Sequence, residues 1–144
     1  MWSKLRLLSI LCCVSVAQAE DLAECAGENL EVWTHCHGII ETDNFYYIGE
    51  FVDGKPHGKG FLEDAVGTKY TGKFNHGKKD GRGEMTFGSK HPLSGSVYVG
   101  HFENDMPHGH GVMQYDDGAK YEGFYQFGQL TAHGSMTITN RYPT

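Results

Sequence analysis

Short runs of this chain alternate between hydrophobic and small or polar positions with the period of an extended strand. From Tyr47 it reads YIGEFVDGKPHGKGFLED, in which Tyr47, Gly49 and Phe51 fall on alternate positions. They therefore share one face of a strand, where two rings flank a bare glycine. Glycine weakens a strand, yet it leaves a gap into which the ring of a neighbouring unit is expected to pack. VDGKPHG follows, with Gly54 offering positive φ and Pro56 a fixed turn geometry, so the chain reverses. GKGFLED then runs back as a second strand, giving a β-hairpin that is marginal by itself in water.

The pattern recurs. Aligned on their first tyrosine, units begin at Tyr47, Tyr70, Tyr98 and Tyr121, at spacings of 23, 28 and 23 residues. Gly72 and Phe74, Gly100 and Phe102, and Gly123 repeat the glycine and ring positions, and Gly58, Gly81 and Gly109 recur beyond the turns. The five extra residues of the middle spacing fall in SKHPLSGSV, whose Pro92 and Gly95 predict an enlarged surface turn. HCHGIIETDNFY reads as an earlier half-unit, with His37-Gly38 at the His-Gly position. Stacked hairpins join their ring and glycine rows into one strip of core, the usual route to stability in repeat proteins. The expectation is an all-β fold, an elongated antiparallel meander of successive hairpins. Its layout is a leader over 1–19, a capping segment over 20–34, the array over 35–140 with its half-unit at 35–46, and a tail at 141–144.

The unit resembles the MORN repeat (membrane occupation and recognition nexus), which is close to Y-x-G-x-[FW]-x-x-G-x-x-H-G-x-G. Tyr47, Gly49, Phe51, Gly54, His57, Gly58 and Gly60 match every position, and Tyr98, Gly100, Phe102, His108, Gly109 and Gly111 nearly do. The second unit has Asp80 in place of the histidine, and the third has Asp105 in place of the turn glycine. In the fourth, Tyr125 replaces the phenylalanine, two extra residues precede His133-Gly134, and Ser135-Met136 stand where x-Gly is usual, as in a terminal cap. The resemblance implies a scaffold or interaction platform, and lipid binding has been proposed for the family. No effector domain accompanies the repeats in this sequence.

The opening MWSKLRLLSILCCVSVAQAE changes where the array is expected to act. Lys4 and Arg6, the apolar run Leu7 to Val16 and the Ala17-x-Ala19 exit form a secretory signal, cut after Ala19. The run is shorter than the roughly 20 residues a spanning helix needs; an uncleaved anchor is the alternative. Attachment of lipid at Cys12 is disfavoured by the bulky Leu11. Cleavage leaves 125 of the 144 residues, with ten basic and eighteen acidic side chains and a net charge of −8. That balance lacks the basic stripe nucleic acid requires and is mildly repelled by anionic lipid. Cys25 and Cys36 alone remain, and in an oxidising compartment such a pair predicts one disulfide around CAGENLEVWTHC. By the chain-entropy estimate a loop of this size contributes about 3 kcal/mol. Localisation is thus expected along the secretory route: secreted, periplasmic or in an endomembrane lumen, with membrane association as a further case.

Candidate chemistry is sparse. Of nine histidines, His37, His57, His108 and His133 are read at the repeat's own His-Gly position, where an imidazole caps a hairpin turn. His35-Cys36-His37 offers zinc-type ligands, but alternation sends Cys36 to the opposite face and the disulfide removes its thiolate. HGHG at 108–111 opens no helix that would cradle phosphate. Lys78, Lys79 and Arg82, with Lys55, Lys59, Lys69 and Lys73 nearby, make the basic end of an acidic chain and a candidate patch for an anionic partner. No nucleophile sits beside a base, and Asp116-Asp117-Gly118 reads as a turn, so neither an enzyme nor a cofactor is expected. Three functions remain: docking of a partner protein or a second copy; peripheral binding to acidic phospholipid; and glycan or envelope-polymer binding, or weak hydrolysis, through exposed rings such as Tyr115 and Tyr125.

Overall fold

The computed structural model describes residues 22–138, so the leader expected at 1–19 and the tail at 141–144 lie outside the described residues. The described chain forms one sheet of ten strands in sequence order. These are β1 (Ala23–Glu24), β2 (Cys36–Glu41), β3 (Phe45–Val52), β4 (Lys55–Asp64), β5 (Lys69–Asn75), β6 (Lys78–Thr86), β7 (Val97–Glu103), β8 (Met106–Gln114), β9 (Lys120–Gln126) and β10 (Gln129–Thr137). β1 pairs parallel to β2, and every later neighbour is antiparallel. The all-β meander expected from the repeat is the fold.

Four hairpin turns are built alike. Asp53-Gly54, His76-Gly77, Asn104-Asp105 and Phe127-Gly128 all have positive φ at both central residues, the type I′ twist that suits two-residue hairpins. Pro56 is not part of the turn: it lies in β4 opposite Phe51. Its carbonyl instead accepts from Gly77 N at 2.8 Å, tying the next turn to the strand before it. Trp33 O to Gly54 N, Lys79 O to Asp105 N and Pro107 O to Gly128 N repeat that link. The insertion between the second and third units is an irregular turn between β6 and β7, closed by Phe87 N to Ser96 O at 3.0 Å.

The core is a file of rings along one face. Trp33, Phe51, Tyr47, Phe74, Tyr70, Phe102, Tyr98, Tyr125 and Tyr121 touch in that order, each pair edge to face at centroid separations of 4.9–5.6 Å. Such contacts contribute about 0.5–1.5 kcal/mol each beyond burial. Tyr47, Tyr70 and Tyr98 are wholly buried. The glycine gap is filled differently from the expectation: Tyr47 lies over Gly49 and Gly60 of its own hairpin, where an added β-carbon would stand 2.5 Å from its oxygen. The neighbour's Phe74 packs against the edge of that ring instead. The phenol also has polar work, since Tyr47 Oη donates to Glu50 O at 3.0 Å, Tyr70 to Lys73 O at 2.8 Å and Tyr98 to His101 O at 2.9 Å.

Register corrects two alignments. Gly49 faces Gly60, Gly72 faces Gly83 and Gly100 faces Gly111; in the fourth hairpin Gly123 faces Gly134. Gly134 is therefore the closing glycine, no residues are inserted, and Thr131 rather than His133 takes the histidine position. At the other end Gly38 faces Gly49 as Gly60 faces Gly72. His35, not His37, is thus the counterpart of His57. Cys36 is bonded to Cys25, which anchors β1 and the segment that carries Trp33 against Phe51 at the start of the file.

Candidate functional site

One face of the sheet is closed by the ring file, and the other is open. Each hairpin also carries a bulge: between Gly49 and Phe51 the single residue Glu50 spans three residues of β4, His57 to Lys59. Gly58, Gly81 and Gly109 sit in these bulges with φ of 64°, 92° and 71°, a conformation natural to glycine. The His-Gly dipeptide is thus a bulge element more than a turn cap. His57 does reach a turn, accepting from His76 N at 3.5 Å. The Nδ1 of His108 is buried without a hydrogen bond, and its Nε2 lies 3.3 Å from Glu103.

The residue between the two glycines of each return strand points to the open face. Those residues are Lys59, Arg82 and His110, with His37 and His133 in the matching places at the ends. Register sets them beside the facing strands: His37 opposes Glu50, Lys59 opposes Lys73, Arg82 opposes His101, and His110 opposes Phe124. A cationic and imidazole row therefore crosses the sheet. A shallow depression of about 530 Å³ is centred on it, lined by His37, Lys59, Lys73 and Arg82 with Ile48 and Phe61 as apolar walls. A second, of similar volume, lies between β6 and β8 around Asp80, His101 and His108.

The predicted patch is divided by this geometry. Lys79 opposes Phe74 and sends its ammonium over the Tyr70 ring at 5.6 Å, toward the ring face. Lys78 is at the hairpin end, donating to Asn104 Oδ1 at 3.4 Å. Arg82 alone of the three joins the row, with Lys59 and Lys73. The trace in the sequence was the repeated Gly-x-Gly with Lys59, Arg82 and His110 at x, but only the register places Lys73 beside it.

Two other expectations change. Tyr125 belongs to the buried file, and Tyr115 is half-buried against the core, so neither is an exposed ring for a glycan. His35 has a φ of 50° outside any strand, so the alternation assumed for His35-Cys36-His37 does not apply. Among the described residues no group of three or more His, Cys, Asp or Glu converges as a metal site. Burial pushes the Tyr98 phenol up to about 12 and raises those of Tyr47, Tyr70 and Tyr125 as well. These phenols are neutral at physiological pH; Tyr47, Tyr70 and Tyr98 donate hydrogen bonds, while the buried Tyr125 Oη has no hydrogen-bond partner among the described residues. The exposed Glu122 is held below the usual carboxylate range by its hydrogen bond to Lys120.

The comparisons agree with this architecture. The family model described as MORN repeat matches residues 47–69, 70–91 and 98–120. Alsin of Homo sapiens is 38% identical over 90 residues, covering 62% of this chain and 5% of alsin. Alsin of Mus musculus is 38% identical over 90 residues, covering 62% of this chain and 6% of its own length. ALS2 C-terminal-like protein of Bos taurus is 32% identical over 97 residues, covering 67% of this chain and 10% of that protein. The chain therefore spans a tenth or less of the length of these curated relatives. Three successive matches on successive hairpins, each with its tyrosine seated on paired glycines, establish that the chain carries MORN repeats.

Proposed function

We propose that the protein is a non-catalytic binding module that presents the open face of its sheet to a partner protein, outside the cytosol. The observation that carries this reading is the asymmetry of the sheet: one face is consumed by the ring file, and the other exposes Ile39, Val99 and Phe124 among charged side chains. A protein surface with scattered apolar anchors in a polar field is what a partner interface requires. The Cys25–Cys36 bond supports an oxidising compartment, in keeping with the leader read from the sequence.

A photo-crosslinking side chain placed at Ile39 or Val99, in the cell that naturally makes the protein, tests the reading. Adducts with a defined protein from the open face, and none from Lys90 in the enlarged turn, are expected. Adducts with phospholipid alone would replace it by the second reading, peripheral membrane binding, which the Lys59, Lys73 and Arg82 row favours.

A further inference from the structure

Resting on the protein-binding reading, we infer that the row formed by Lys59, Lys73 and Arg82 seats an acidic, extended segment of the partner, with an apolar side chain of that segment on Ile48 and Phe61. Lys59 and Lys73 are direct cross-strand partners. Like charges so placed repel and weaken a sheet pair, and Arg82 stands on the next strand, about 5 Å farther on at ordinary strand spacing. Among the described residues no carboxylate forms an ion pair with any of the three. The nearest acid in the row, Glu50, accepts the Lys59 backbone N–H at 3.0 Å and is held in the bulge. The free chain therefore keeps three cations without an ion-pair partner side by side in a protein of net charge −6. An anion relieves that repulsion, and the Arg82 guanidinium adds a planar fork for a carboxylate.

The surroundings select a narrow ligand. Glu63, paired with Lys69 at 3.8 Å, and Glu84 bound the strip on the same face. A broad anionic bilayer would meet those carboxylates, whereas a single chain laid across the strands avoids them. Ile48 and Phe61 line the same depression, so the matching segment carries an aliphatic or aromatic residue among its acids.

The test is fluorescence anisotropy of a labelled ten-residue peptide of glutamates with one central phenylalanine, titrated with the full chain at about 0.15 M salt, where distant surface charges are largely screened. Lys73→Glu and Arg82→Glu are each expected to raise Kd at least tenfold, while Lys90→Glu, an equal change in net charge, leaves it within twofold. Melting curves verify that these surface variants fold. No binding by the unaltered chain, equal losses in all three variants, or capture by phosphatidylserine vesicles without capture of the peptide would each overturn the inference. The open-face crosslink separates the two levels. If Lys73→Glu and Arg82→Glu keep the crosslinked protein, the acidic-segment assignment fails while protein binding stands. If the unaltered chain crosslinks no protein, the underlying reading fails.

Discussion

The phenol of Tyr47 rests on Gly60, the residue that closes its own hairpin, and a β-carbon there would stand 2.5 Å from the phenol oxygen. The ring is also pinned by its hydrogen bond to Glu50 O and by Phe51 and Phe74 at its edges. It has no free direction in which to retreat. Gly60→Ala is expected to lower stability by about 1–3 kcal/mol, the range of an overpacked core. Urea unfolding followed by circular dichroism measures this, and a loss below about 0.5 kcal/mol would show the ring is not fixed.

Asp105 replaces the usual turn glycine at a φ of 71°. Its carboxylate accepts Lys79 N at 2.9 Å, beside the backbone link from its own N–H to Lys79 O at 3.0 Å. Asp105→Ala keeps the strain and loses the acceptor, so a loss of about 1–2 kcal/mol is expected. Asp105→Gly loses the same acceptor but relaxes the backbone, and should cost less. A glycine variant less stable than the alanine variant in the same unfolding assay would contradict this account.

Alkali should open the ring file. Burial raises the phenol of Tyr98 to about 12, with Tyr47, Tyr70 and Tyr125 raised also. A raised folded value contributes stability that is complete below about 10, where unfolded tyrosine titrates, and is lost as pH rises through the folded values. Stability should thus be flat toward neutral pH and decline from about 10 to 12. Tyrosinate absorbance recorded with circular dichroism checks the sign: the buried phenols should ionise together with loss of the sheet. Complete ionisation near 10 with the sheet intact would refute it.

The covalent state of the N-terminal segment is open to one mass measurement. Protein purified without reductant from the cell that naturally makes it is expected to match residues 20–144 less two hydrogens, for the bond between Cys25 and Cys36. Retention of residues 1–19, or added lipid, would instead put the array on a membrane and raise the lipid reading above protein docking.

Much of this fold is written locally. Tyr47, Gly49 and Phe51 specify an extended face, the turn dipeptides permit positive φ, and recurrence at Tyr70, Tyr98 and Tyr121 requires hairpin to follow hairpin. Those features depend on neighbours a few residues apart, so the chain declares them without its fold. What lies across a strand pair does not. The bulge sets three residues of β4 against the single Glu50, an offset of two that keeps the faces but changes which residues lie opposite one another. Lys79 and Arg82, three residues apart, fall on opposite faces by alternation alone, whereas only the pairing makes Lys59 and Lys73, fourteen apart, direct partners. The same register makes Gly134 the closing glycine of the last hairpin and puts Tyr125 inside the ring file. The sequence alone determined the hairpin repeat, because backbone freedom and alternation are local; the tertiary structure decided which cations share a surface, because the bulged register is a property of paired strands.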